Sequence, residues 1–149
     1  MLSSSIEKGG VIKVIIADDH NLFRKGLKKL LQSISDIEVV GEASNGEECL
    51  SLAKKLKPDV ILIDLSMPHM ENFEVIKKLK RMLSLKVVAL SMHSEKNYVV
   101  KAVKSGCDGY VLKNSPLDEL IQAIQAVLKE GAFFSPQVAR YLADTLVER

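Results

Sequence analysis

Several short apolar runs in this chain end in a residue capable of chemistry. VIKVIIA runs into Asp18-Asp19, VILI into Asp64, VVAL into Ser91 and GYVL into Lys113. Brought to one edge, the carboxylates repel one another and need a cation. Their oxygens are hard ligands, and in an open cleft they suit Mg²⁺, which keeps some of its waters. A carboxylate is also a nucleophile toward phosphorus and can form an aspartyl phosphate. Phosphoryl transfer mainly demands positioning and charge neutralisation. A metal on one side and the Lys113 ammonium on the other supply both, and a serine hydroxyl can donate to a phosphoryl oxygen.

Each residue alone has a plainer reading. Asp64, or the Asp18-Asp19 pair, could cap a following helix. Tyr110 could be core, and Met67-Pro68 a turn. The weight comes from the set, because capping does not require separate strands to end in these residue types.

The elements that would position them follow from pattern. Val11–Ala17 and Val60–Asp64 are β-branched runs without polar alternation, the mark of strands buried on both faces. Glu38–Ala43, Lys86–Leu90 and Gly109–Leu112 read as three more strands. Between them, apolar residues recur at helical spacing over Asn21–Ile34, Glu47–Leu56, Phe73–Leu83 and Asn97–Lys104. Pro58 stops the second of these. Ser115-Pro116 followed by acids opens a fifth helix toward Gly131, and Ser135-Pro136 opens a last one. Strict alternation predicts an α/β fold with a parallel sheet covered on both faces. Ligands of such sheets bind beyond the carboxyl ends of the strands.

Composition narrows the classes. The chain has 149 residues, 47% hydrophobic and 27% charged, with a formal charge of +2. That charge is too small to argue for nucleic acid, and the basic runs Arg24–Lys29, Lys54–Lys57 and Lys77–Arg81 read as solvated helix faces. Cys49 and Cys107 lack metal spacing and read as reduced thiols. No apolar run approaches the roughly 18 residues of a membrane span. A cytoplasmic protein is expected, with residues 1–10 as a loose tail.

IIADDH, VILIDLSMP, VVALSMH and GYVLKN, in this order and at these separations, resemble the receiver domain of bacterial two-component response regulators. The likeness covers roughly Ile12 to Gly131. It implies a flavodoxin-like, doubly wound five-stranded parallel sheet of order 2-1-3-4-5, with five helices. It implies that a sensor histidine kinase phosphorylates Asp64, and that the domain catalyses only this phosphotransfer and its own slow dephosphorylation. Asp19, Asp64 and the Ser66 carbonyl would bind Mg²⁺ directly, and Asp18 through water. Lys113 and Ser91 would contact the phosphoryl group, and Tyr110 would follow Ser91 inward as a switch. The pattern after the proline usually ends in glycine, where this chain has Asn72; Asn tolerates a left-handed backbone better than most residues. Asn114 follows Lys113, where many receivers carry proline.

IQAIQAVLKEGAFFSPQVARYL resembles the end of receivers in the NarL/FixJ class, which continue into a LuxR-type helix-turn-helix. Residues 11–131 then form the receiver, and 132–149 a helical linker toward a DNA-binding domain that this sequence does not include. DNA binding would rest on that domain, and homodimerisation would follow phosphorylation. A stand-alone receiver acting through protein contacts is the alternative. An aspartyl-phosphate phosphatase of the haloacid dehalogenase type would need Asp-x-Asp after the first strand, not adjacent aspartates. A nucleotide or flavin module would need a glycine-rich phosphate loop there. A degenerate receiver would not need the full acidic set.

Overall fold

The apolar runs form five strands: β1 (Ile12–Ala17), β2 (Ile37–Ala43), β3 (Val60–Asp64), β4 (Lys86–Ser91) and β5 (Gly109–Leu112). They pair in parallel in the order β2-β1-β3-β4-β5. The computed structural model describes residues 10–67 and 72–147. The tail before Gly10 and the turn at Pro68 lie outside them. Six helices are described: α1 (Asn21–Gln32), α2 (Gly46–Leu56), α3 (Asn72–Met82), α4 (Lys96–Lys104), α5 (Leu117–Lys129) and α6 (Pro136–Val147).

The two-residue period of a strand sorts the core into two halves. Ile15, Ile61, Ile63, Val87 and Ala89 face α2, α3 and α4, meeting Ala53, Ile76, Leu79 and Val99. Val14, Ile16, Leu62, Val88 and Val111 face α1 and α5, meeting Leu27, Leu31, Ile124 and Val127. Every residue of β3 is buried, so this central strand reads as a continuous apolar run. Burying each of its Ile or Leu side chains is worth about 1.5–3 kcal/mol. The final helix α6 packs beside α4, placing Val138 in the α2–α4 half of the core with Tyr141 and Leu142 against it.

Local chemistry sets the helix starts. Asn45 caps α2 by accepting from Glu48 N (2.9 Å), and Glu48 reaches back to Ser44 N (2.8 Å). Ser135 caps α6, its hydroxyl accepting from Val138 N at 3.2 Å. Ser115 does not cap α5: Pro116 has ψ 150° and takes the N-cap position, so the helix begins one residue later than the Ser-Pro pattern predicts. Among the described residues, no helix is long and apolar enough to cross a membrane.

Two members of the basic runs are not on solvated faces. Arg24 is buried, bonded through Nε to Glu42 (3.0 Å) and through Nη1 to Asp18 O (2.6 Å). Lys80 is drawn inward to Leu85 O and Asp108 Oδ2, both at 2.8 Å. Partners on β2 and before β5, distant in sequence, overrule the solvated reading. Cys49 and Cys107 are free and buried, and burial pushes both thiols up to about 12.

Candidate functional site

Register decides which strand-end residues can meet. Ala17 pairs with Ile63, so Asp18 and Asp64 follow at the same level of the sheet. Asp64 pairs with Leu90, and Ser91 with Leu112, so Ser91 and Lys113 sit progressively further out along β4 and β5. Alternation then divides the set. Asp18, Asp64 and Lys113 share the parity of Ile16, Leu62 and Val111, the α1–α5 side. Ser91 shares the parity of Val87 and Ala89, the side that also holds Tyr110.

The α1–α5 side carries a charged cluster. Asp18 and Asp64 are fully buried. Lys113 reaches back over the strand ends, its Nζ 3.0 Å from Asp18 Oδ2 and 3.3 Å from Asp64 Oδ2. The same ammonium lies 4.6 Å from the centroid of the Phe23 ring, a cation–π contact. Asp18, Asp19, His20 and Asp64 each offer a ligand atom within 4.8 Å of the others.

This cluster fits a divalent metal. Three carboxylates face one ammonium, a formal surplus of two negative charges. Among the described residues Asp19 Oδ1 is buried and accepts no hydrogen bond, with the His20 Nδ1 atom 3.5 Å away. Asp18 Oδ2 likewise accepts no hydrogen bond, although the Lys113 ion pair lies against it. Buried carboxylate oxygens left in this way are costly unless a cation takes them.

The plainer capping readings do not apply. The N-cap of α1 is His20, without a side-chain cap bond, and Asp18 Oδ1 accepts from His20 N at 2.8 Å. Asp64 Oδ1 accepts from Ser66 N at 3.1 Å, well before α3 begins, and the Ser66 hydroxyl lies 2.9 and 3.0 Å from the two Asp64 oxygens.

The other side of the strand ends is a hydrogen-bonded aromatic group. Ser91 Oγ accepts from His93 N (2.9 Å), and the Tyr110 hydroxyl donates to His93 O (2.6 Å). Tyr110 is buried, and burial pushes its phenol up to about 12. Tyr98 packs on His93, with ring centroids 4.4 Å apart, and edge-on to Phe73. Its hydroxyl donates to Leu65 O at 3.2 Å. The Lys113–Asn114 peptide is trans.

Sequence reasoning passed over His20, Arg24 and Tyr98. His20 Nδ1 lies 3.1 Å from both Asp18 Oδ1 and Lys113 Nζ. Its position directly after the two aspartates was the available signal. Arg24 secures the Asp18 carbonyl from the first turn of α1, and a cation within a basic run gives no sign of that.

An acidic cluster and a lysine at the carboxyl edge of a 2-1-3-4-5 sheet define a phosphoacceptor module. Comparison with known proteins agrees. Residues 14–125 match the response regulator receiver domain model. The chain is 40% identical over 134 residues to the response regulator GacA of Pseudomonas aeruginosa, covering 89% of this chain and 63% of GacA. Among solved structures it resembles the receiver domain of a putative response regulator NarL from Mycobacterium tuberculosis. That match has a TM-score of 0.77 and 35% identity, over 80% of this chain and 98% of the other. It also resembles the isolated receiver domain of RcsB from Salmonella enterica serovar Typhimurium, solved with the phosphomimetic BeF3−. There the TM-score is 0.79 with 31% identity, over 89% and 99% of the two chains. The chain belongs to the response regulator receiver family and is related to its NarL/LuxR/FixJ-type members. As a receiver domain it catalyses its own phosphorylation and dephosphorylation rather than broader chemistry. It spans less than two thirds of the length of GacA.

Proposed function

We propose that Asp64 is the phosphoacceptor. A carboxylate oxygen of Asp64 attacks the phosphorus of a kinase phosphohistidine. The new O–P bond forms as the P–N bond breaks, and the imidazole leaves with the electron pair and takes up a proton. Asp19, Asp64 and the Ser66 carbonyl would hold Mg²⁺, with Asp18 acting through water. The metal, when bound, neutralises charge on the transferring phosphoryl oxygens. Lys113 pairs with the phosphoryl group from the opposite flank, and Ser91 donates to it. Tyr110 already lies inside, so its role as a switch is to be held there once Ser91 is engaged. The observation that carries this reading is the Lys113 ammonium between buried Asp18 and Asp64, beside an Asp19 oxygen that accepts no hydrogen bond among the described residues.

The donor we propose is a sensor histidine kinase. An apolar cavity of about 310 Å³ opens beside Lys113, between α1 and α5, with Leu22 exposed at its rim. That surface offers a partner contacts next to the acceptor. We also read residues 11–131 as the receiver and 132–149 as a linker. In the whole protein, phosphorylation would promote homodimerisation and switch a helix-turn-helix transcriptional output.

Incubation with acetyl phosphate and Mg²⁺, followed by intact mass measurement, tests the acceptor. The parent protein should gain one phosphoryl group, and Asp64→Ala none. Equal labelling of the two proteins would refute Asp64.

A further inference from the structure

Asn72 stands where the receiver pattern has glycine, and its side chain does what glycine cannot. It is the first residue of α3, so its backbone is helical and calls on no left-handed conformation. It is 5% exposed. Its Nδ2 donates to Leu65 O at 2.8 Å and to Met67 O at 3.0 Å. Those carbonyls flank Ser66 on either side. Leu65 O accepts a second bond, from Tyr98. Ser66 itself is tied to Asp64 through its N–H and hydroxyl.

One buried amide therefore clamps the two peptide planes adjoining the Ser66–Met67 peptide, which carries the Ser66 carbonyl. Fixing the outer planes restricts the middle one. Among the described residues the Asn72 Oδ1 atom is buried without a hydrogen-bond partner. A side chain kept in place at that cost is held there for its donors.

We propose that Asn72 is a positioning residue for the metal site: its amide orients the Ser66 carbonyl toward a divalent cation shared with Asp19 and Asp64. The inference rests on the reading of this cluster as a Mg²⁺-dependent phosphoacceptor site. It makes metal affinity in this chain depend on a side chain at a place where the family pattern offers none. Groups that orient metal ligands typically matter by about 10–100-fold in affinity.

The test compares the parent with Asn72→Ala and with Asn72→Gly, the residue of the family pattern, which keeps the experiment open if the alanine variant fails to fold. Mg²⁺ alone is titrated by calorimetry, well below the thermal midpoint of each protein. Acetyl phosphate labelling is then followed as a function of Mg²⁺ concentration. The expected result is Mg²⁺ affinity weakened by about tenfold, with the labelling rate at saturating Mg²⁺ recovering to that of the parent. Unchanged Mg²⁺ affinity in a folded variant, even with a lowered thermal midpoint, makes Asn72 a structural clamp and overturns the proposal. A parent that binds no Mg²⁺ overturns the phosphoacceptor reading along with it. A parent that binds and labels while the variants bind equally well overturns the role of Asn72 alone.

Discussion

The Lys113 ammonium stands 3.3 Å from the Asp64 carboxylate, across 49 residues of sequence and from a strand two places away in the sheet. It also holds Asp18 at 3.0 Å. Among the described residues it is the cation closest to these two fully buried carboxylates.

Removing that cation should therefore destabilise the metal-free protein. Lys113→Ala is expected to lose about 3 kcal/mol, because breaking a buried pair strands its charges. Excess Mg²⁺ should restore a large part of the loss. Urea unfolding with and without Mg²⁺ measures both effects; a loss that Mg²⁺ leaves unchanged would count against a metal site beside Lys113.

His20 brings an imidazole to the same cluster, its Nδ1 3.1 Å from Asp18 Oδ1. Imidazole suits Zn²⁺, whereas Mg²⁺ prefers oxygen. His20→Ala should lower Zn²⁺ affinity by about tenfold or more and leave Mg²⁺ affinity within a factor of about two. Competitive titration of the two metals decides it.

Glu42 is the anchor of three cations: Arg24 and Lys28 at 3.0 Å and Lys25 at 3.5 Å. Burial alone would raise its pKa, but the Lys28 and Arg24 hydrogen bonds outweigh burial and hold it below the ordinary 4.5. A carboxylate depressed in the folded state stabilises above its unfolded value, and that contribution is lost as the pH falls through the folded one. Glu42→Gln should cost about 1 kcal/mol at neutral pH, because two of its three partners are solvent-exposed lysines. The gap from the parent should close as the pH drops below 4.5. Denaturant unfolding across acidic pH checks it, and a gap that widened there would reverse the sign.

Leu62 is fully buried at the centre of β3, facing α1 and α5. Leu62→Ala should cost about 2–5 kcal/mol through lost burial and the cavity left behind. A loss well below that range would mean the α1–α5 half of the core collapses readily around the gap.

Most of this architecture was legible because its signals are local. The short Ile and Val runs of β1, β3 and β4 read as buried strands, and alternation with helices made the sheet parallel. That Asp18, Asp64, Ser91 and Lys113 lie along one edge of the sheet followed from topology alone. Their division between two faces was also available from the two-residue period, since Ser91 has the opposite parity to Asp64. What stayed hidden depends on partners far along the chain. Arg24 looks solvated until β2 brings Glu42 to it. Asn72 was expected to serve through its backbone, whereas α3 starts at that residue and its side-chain amide binds the Leu65 and Met67 carbonyls. Pro116 shows the same limit on a smaller scale, because its extended ψ displaced the start of α5 by one residue.

The sheet acts as a partition. Asp18, Asp64 and Lys113 lie in the compartment shared with α1 and α5, while Tyr110, α4 and α6 lie in the other. Surface changes on α1 can alter what meets the acidic cluster without disturbing how α4 and α6 pack. Traffic between the compartments passes around the strand ends, at Ser91 and at the Leu65 carbonyl, where Asn72 and Tyr98 converge. On the function proposed above, kinase recognition beside α1 and α5 can then diverge separately from packing on the α4–α6 side, provided that this narrow crossing is kept.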